Sequence, residues 1–194
     1  MHFKGYTRTI HHESSKKGKK NSDLWTHPDL VSVHPPFEDY ESQTVELGCN
    51  IGQTGIRLFS FEMKIGVSGS NVREYFFQAV SNSSWANEGY LVALTFDDDA
   101  LDQLASLSAS FGIGVIRLDP DDVHQSEILF QSRSKDRIDL SIVDRLIAIN
   151  PDFKAFVQSV NNSMKIRNMI KADYDPVMGD EDLQKYVSDK GICG

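Results

Sequence analysis

The sequence is poor in cysteine and contains no long apolar run. Its two cysteines, Cys49 and Cys193, lie far apart and do not form the closely spaced pair typical of metal sites. No apolar stretch approaches the roughly 20 residues that a membrane-spanning helix needs. The N-terminal segment MHFKGYTRTI also lacks the apolar centre of a secretory signal. These absences predict a cytoplasmic protein with free thiols and no membrane association.

Positive charge is also scarce. The chain has 20 lysines and arginines against 28 acidic residues, and its net charge of −8 argues against a protein that coats nucleic acid non-specifically. The charge is unevenly distributed, because residues 1–27 carry +4 and the remainder carries −12. A basic N-terminal arm on an acidic body can still bind DNA locally, and the alternative is a solvated loop.

The overall composition is that of a globular protein with a hydrophobic core. The chain has 194 residues, of which 40% are hydrophobic and 10% aromatic. Periodicity predicts strands at Tyr6–Ile10, Leu30–Val33, Ile56–Ile65, Tyr90–Phe96, Ile113–Leu118 and Ser126–Gln131. It predicts helices at Thr44–Cys49, Asn71–Val80, 97–111, Ile138–Ile149, Asp152–Ile166 and Asp180–Ser188.

The order of these elements predicts the fold class. Strands and helices alternate in the second half, which implies parallel pairing with crossover helices. We therefore predict an α/β domain of two or three layers with a mixed central sheet flanked by helices. Residues 1–168 form the domain, and residues 169–194 form a C-terminal linker and short helix.

The strand Ile56–Ile65 is predicted to place two charges side by side. With a period of two, Glu62 and Lys64 share one face, their Cα atoms about 7 Å apart. The other face, which includes Phe59, Phe61, Met63 and Ile65, is predicted to be core. A charge pair at the end of a buried strand is costly unless it is paired or used, and the simplest alternative is a surface salt bridge.

Pro28-Asp29, followed after a gap of 32 residues by Glu62-Met63-Lys64, resembles the motif of the PD-(D/E)XK nuclease superfamily. Asp29 opens one predicted strand, Glu62 lies within the next, and the following helix carries Arg73 and Gln78. The wider sequence over roughly residues 6–160 resembles an uncharacterised bacterial group, the HrgA-like proteins. Members of that group often follow a winged-helix module in restriction-associated genes.

This resemblance implies a restriction-endonuclease-like fold and a DNA endonuclease that depends on Mg²⁺ or Mn²⁺. Asp29 and Glu62 would hold the metal together with the backbone carbonyl of Met63. Lys64 would orient the attacking water, and Gln78 would steady the site from the helix. Arg73 would meet a phosphate, or would simply be solvated. The implied setting is restriction or phage defence, with a homodimer or a separate DNA-reading module as partner.

Four lysines, Lys16, Lys17, Lys19 and Lys20, form a basic run that could grip the DNA backbone. Two other functions stay open. The superfamily core usually opens with a helix, whereas only Met1–Gly5 precede the first predicted strand, so the domain could be a non-catalytic DNA- or protein-interaction module. It could also be a structural or regulatory domain in which Glu62 and Lys64 form an ion pair.

Other polar groups have simpler interpretations. His11, His12, His27, His34 and Cys49 lack the spacing of zinc ligands, although His27, directly before Pro28-Asp29, could touch the rim of the site. Asp97–Asp99 is expected to start a helix. Trp85 would either stack on a base at the mouth of the site or anchor the core.

Overall fold

The structure, a computed structural model, describes residues 4–15, 27–177, 179 and 185. The elements are β1 (Tyr6–Thr9), β2 (Leu30–His34), α1 (Ser42–Asn50), β3 (Arg57–Val67), α2 (Val72–Asn82), β4 (Glu88–Phe96), α3 (Asp98–Phe111), β5 (Gly114–Arg117), β6 (Glu127–Phe130), α4 (Leu140–Ile149) and α5 (Pro151–Ile166). Each lies within a few residues of its predicted position. The lysine run and most of the predicted terminal helix Asp180–Ser188 lie outside the described residues.

The six strands form one mixed sheet in the order of the chain, from β1 to β6. β1, β2 and β3 pair antiparallel, and β6 is antiparallel to β5. β3 to β5 run parallel, joined through α2 and α3 as crossover connections. The α/β class, the mixed sheet and the parallel pairing of the second half are therefore confirmed.

The helices α2 to α5 pack on one face of this sheet. Val31 of β2 lies opposite Ser60, and Leu91 of β4 lies opposite Glu62, so all four side chains share that face. One core cluster joins Leu91 to residues of α2 and α3, and another joins Val31 to residues of α4 and α5. Glu62 therefore points towards the helical layer rather than towards the opposite face.

The opposite face is covered differently. Its buried cluster comes from strand residues alone within the described part of the chain: Phe59, Phe61, Tyr90, Val92 and Ile116. Met63 is 37% exposed and Ile65 is 74% exposed, so the prediction that this whole face of β3 is core is wrong beyond Phe61. The pairing of β3 with β2 ends where Leu30 meets Phe61. Beyond Phe61, no described strand is paired with β3 on that side.

Local signals fix both ends of α3 and the start of α5, and the prediction that Asp97–Asp99 starts a helix is confirmed. The Asp97 side chain accepts a hydrogen bond from the Ala100 N–H at the start of α3. Gly112 ends the same helix in the left-handed region, with φ of 74°, a conformation that glycine adopts without strain. Asn150 caps α5, with Pro151 at its first position.

The segment after α5 contacts the domain. Met169 and Tyr174 are buried in the cluster that also holds residues of α5 and β1. Asp175 accepts hydrogen bonds from the N–H and the hydroxyl of Thr9. Residues 169–175, predicted as part of a linker, thus pack on the first strand. Among the described residues, no helix is both long enough and apolar enough to span a membrane.

Candidate active site

Asp29 and the Glu62–Lys64 segment meet where β2 begins. The Asp29 N–H donates to the carbonyl of Phe61 at 3.2 Å, which extends the pairing of β2 and β3 by one residue. The Asp29 side chain then turns along β3, and its Oδ2 accepts from the Met63 N–H at 2.7 Å. Asp29 is thereby joined to β3 by one backbone hydrogen bond and by one hydrogen bond to its side chain, the latter from a residue 34 positions away in sequence.

Glu62 is almost fully buried, with 5% of its surface exposed. Its Oε1 accepts from the Lys64 ammonium at 2.7 Å, and its Oε2 accepts from the amide of Asn82 at 2.8 Å. The Lys64 Nζ also lies 5.0 Å from the centre of the Tyr75 ring, within the range of a cation–π contact. The structure therefore brings Asp29, Glu62 and Lys64 to one place, as the sequence predicts.

The two carboxylates have different electrostatic environments. Burial raises the pKa of Glu62, and the nearby negative charge of Asp29 raises it further, against the opposing effect of Lys64 and Asn82. Burial also acts to raise the pKa of Asp29. The hydrogen bonds from His12 and the Met63 N–H, with the charge of Lys64, outweigh it and lower that pKa. An additional positive charge near these two carboxylates would therefore be stabilising.

His12 also belongs to this site, a role that its place in the sequence does not predict. Its Nε2 lies 2.8 Å from Asp29 Oδ1, and this hydrogen bond raises the pKa of His12 against the effect of its partial burial. The His12 ring also meets the buried His27 ring edge to face at 5.9 Å. No local pattern signals these contacts. The predicted contact of His27 with the rim of the site stays a prediction.

Asn82 and Tyr75 are the other site residues that the sequence missed. Tyr75, Gln78 and Asn82 are spaced i, i+3 and i+7, so they share one stripe of α2. Tyr75 contacts Lys64, and Asn82 contacts Glu62. Asn82 lies two residues beyond the end of the predicted helix Asn71–Val80, so the sequence does not place it on this stripe.

Gln78 lies on this stripe between the two contacting residues. Its Oε1 is buried and accepts no hydrogen bond from the described residues, and the same holds for Asn82 Oδ1. The role of Gln78 in the site stays a prediction. Arg73 is turned elsewhere, because its Nε donates to Gln103 of α3 at 3.1 Å. Its proposed contact with phosphate, like that of the four lysines, also stays a prediction.

Trp85 is a core residue. Only 1% of its surface is exposed, and its ring packs edge to face on Phe153 at 4.9 Å and Phe156 at 6.3 Å. Its indole N–H donates to the carbonyl of Asn82. The interpretation of Trp85 as a core anchor is confirmed, and stacking on a base is excluded by its burial.

The donor set at the site suits a hard divalent cation. Mg²⁺ binds through one or two carboxylates and keeps several waters, so the nearby Asp29 and Glu62 suffice. The unpartnered oxygens of Gln78 and Asn82 are acceptors of the kind that metal-bound water needs. Within the described part of the chain, no three His, Cys, Asp or Glu side chains gather as a metal cluster. A bound cation would therefore depend on these two carboxylates, with water and backbone completing its shell.

Comparison with known proteins finds no matching family model, no similar curated protein and no similar solved structure. The interpretation of the site consequently depends on its own geometry and chemistry.

Proposed function

We propose that this protein is a metal-dependent phosphodiesterase of the PD-(D/E)XK kind that cleaves DNA. One observation supports the proposal above the others. Asp29, Glu62 and Lys64, which the motif names from distant parts of the sequence, converge through the Met63 N–H and the Glu62–Lys64 ion pair. An incidental salt bridge on β3 would not require Asp29 at the same place.

The energetics of the cluster also favour a functional role. Burying a carboxylate beside a second negative charge is unfavourable, and the raised pKa of Glu62 reflects that cost. When His12 is neutral, the single ammonium of Lys64 balances only part of the charge of the two carboxylates. A divalent cation would balance the rest, so the arrangement is better matched to a metal-bound state than to a purely structural ion pair.

Each residue then has a chemical role. Bound Mg²⁺ or Mn²⁺ supplies positive charge at the phosphoryl group and lowers the pKa of water. Asp29 and Glu62 hold the cation, and Asp29 is itself fixed by His12 and the Met63 N–H. Lys64 is anchored between Glu62 and Tyr75, from where its ammonium orients the attacking water and stabilises charge on the phosphate oxygens.

A second candidate is a DNA- or protein-interaction module that keeps the fold without cleavage. One observation favours it: all four carboxylate oxygens already accept a hydrogen bond from the protein. The donors are His12 and the Met63 N–H for Asp29, and Lys64 and Asn82 for Glu62. Such a network needs no cation to satisfy its hydrogen bonds. Metal binding and cleavage therefore decide between the two candidates.

The test is digestion of supercoiled plasmid, linear duplex DNA, single-stranded DNA and RNA with Mg²⁺, with Mn²⁺ and with a chelator. We expect metal-dependent cleavage of DNA by the wild-type protein. Asp29→Ala, Glu62→Ala and Lys64→Ala should each lose about 100-fold or more of that activity, the range found when a charge-stabilising group is removed. Lys154→Ala, which changes an exposed lysine on α5, serves as the matched control.

The outcomes separate the candidates. Equal cleavage by the wild type and Lys64→Ala contradicts the proposed enzyme and points to a contaminating nuclease. Binding of DNA in the presence of the chelator, without cleavage of any substrate, supports the non-catalytic module. Neither binding nor cleavage leaves Glu62 and Lys64 as a structural ion pair.

A further inference from the structure

We infer that Asn82 is a positioning residue, which fixes the Glu62 carboxylate in the orientation needed to bind the divalent cation. This inference rests on the proposed function and adds to it a residue outside the recognised motif. Asn82 ends α2, is 4% exposed, and directs its amide Nδ2 to Glu62 Oε2 at 2.8 Å.

The two oxygens of Glu62 are held from different elements. Lys64, on the same strand, contacts Oε1, whereas Asn82, on the helical layer, contacts Oε2. The terminal torsion of a glutamate is broad and roughly two-fold, so one hydrogen bond alone leaves the carboxylate plane free to turn. The second bond, from a different direction, selects one orientation of that plane.

Asn82 is itself held rigidly. Its backbone carbonyl accepts from the Ser60 hydroxyl at 3.0 Å and from the Trp85 indole N–H at 2.8 Å. Ser60 lies two residues before Glu62 on the same face of β3, so this bond ties the end of α2 to the strand that carries the site. Trp85 in turn is packed between Phe153 and Phe156 of α5. The backbone from which the Asn82 amide reaches Glu62 is therefore held by β3 and, through Trp85, by α5.

The neutral amide suits this role better than a second cation would. Lys64 already supplies the positive charge at Glu62. A second cation there would compete with the bound metal for the same carboxylate, whereas an amide N–H orients the oxygen and leaves its negative charge in place. Mutation of partners that orient metal ligands in this way typically costs about 10–100-fold in metal affinity or activity.

The test is calorimetric titration of the full chain with Mn²⁺, with thermal unfolding measured on the same samples. Asn82→Ala should bind Mn²⁺ about 10–100-fold more weakly than the wild type. Ser60→Ala is the matched control, because it removes a buried hydrogen bond from the same helix end without touching Glu62. It should lose less affinity, since the Trp85 indole still holds the Asn82 carbonyl. If Asn82→Ala does not fold, Asn82→Ser keeps a polar side chain that is too short to reach Glu62.

Each result decides the inference. A selective loss of Mn²⁺ affinity in the Asn82 variant supports it. Equal affinities for the Asn82 and Ser60 variants at comparable stability overturn it and leave the proposed function standing, since Asn82 would then be structural only. A wild-type protein that binds no Mn²⁺ overturns both the proposed function and this inference.

Discussion

The two halves of β3 differ in what they bury. In Arg57–Phe61, the strand pairs with β2 and β4, and the aromatic side chains are covered. In Glu62–Val67, β4 is its one partner among the described strands. There Met63 and Ile65 are exposed while Glu62 is buried. At these three positions the strand thus reverses the usual preference for buried apolar and exposed charged residues, whereas Val67 at its end is buried as usual. Such local violations are expected at functional sites, where stability is given up for chemistry.

Truncation of an aromatic residue in the first half should have the largest effect on stability. Phe61 stacks with Phe59 and Tyr90 and borders an apolar cavity of about 320 Å³. Phe61→Ala should cost about 3–5 kcal/mol of unfolding free energy. Ile65→Ala, in the second half, should change it by only about 0.5 kcal/mol, as for an exposed site. Chemical denaturation measures both, and similar losses would remove the contrast between the halves.

Removal of one charge from the second half should have the next largest effect. Lys64→Met leaves Glu62 buried beside Asp29 without its cation, and we expect a loss of about 3 kcal/mol near neutral pH. The double variant Glu62→Leu with Lys64→Met should recover most of that loss, because two apolar side chains of similar size need no ionic partner. A double variant no more stable than the single one would show that the charge pair stabilises the fold rather than the site.

A smaller effect is expected in the pH dependence of the unfolding free energy, and it comes from Glu62 in the second half of β3. The pKa of Glu62 is raised above 4.5, mainly by burial. Its stabilising contribution is therefore present below pH 4.5 and is lost as the pH rises through the raised pKa, when the buried side chain ionises. Glu62→Gln should gain stability relative to the wild type across that interval. Urea denaturation at several pH values measures the difference, and a difference that does not change with pH would contradict the shift.

The sequence predicted the fold better than it predicted the surroundings of the site. The periodicity of β3 correctly assigned Glu62 and Lys64 to one face, because side-chain alternation is a local property of a strand. The exposure of Met63 and Ile65 depends on where β2 stops, which no pattern within β3 encodes.

The site residues also divide into those that the sequence predicts and those that it does not. Asp29, Glu62 and Lys64 could be named because the motif spans two adjacent strands. His12 lies in the short 3-10 helix His12–Ser14 and contacts Asp29 at the start of β2. Asn82 lies at the end of α2 and contacts Glu62 because α2 packs on the sheet. Those contacts are set by tertiary structure, so they were visible only in the folded chain.

The smallest expected effect is a shift in the titration of His12, next to the point where the halves of β3 meet. The hydrogen bond to Asp29 is the main cause of the raised pKa of His12. In Asp29→Ala that pKa should fall, since the remaining burial acts to lower it. The raised pKa contributes stability below pH 6.5 that is lost as the pH rises through the folded value, so Asp29→Ala should destabilise the protein more in acid than in mild base.

Addition of Mg²⁺ to the wild-type protein tests whether Asp29, the hydrogen-bond partner of His12, holds the cation. A cation held by Asp29 would place positive charge beside the His12 imidazole and compete for the carboxylate, so the pKa of His12 should fall as Mg²⁺ is added. Proton NMR of the imidazole resonances follows this titration, and the Asp29→Ala variant is the control, because it should not respond to Mg²⁺. A His12 titration unchanged by saturating Mg²⁺ would mean that Asp29 does not hold the cation, and β3 would then carry a buried ion pair without a metal site.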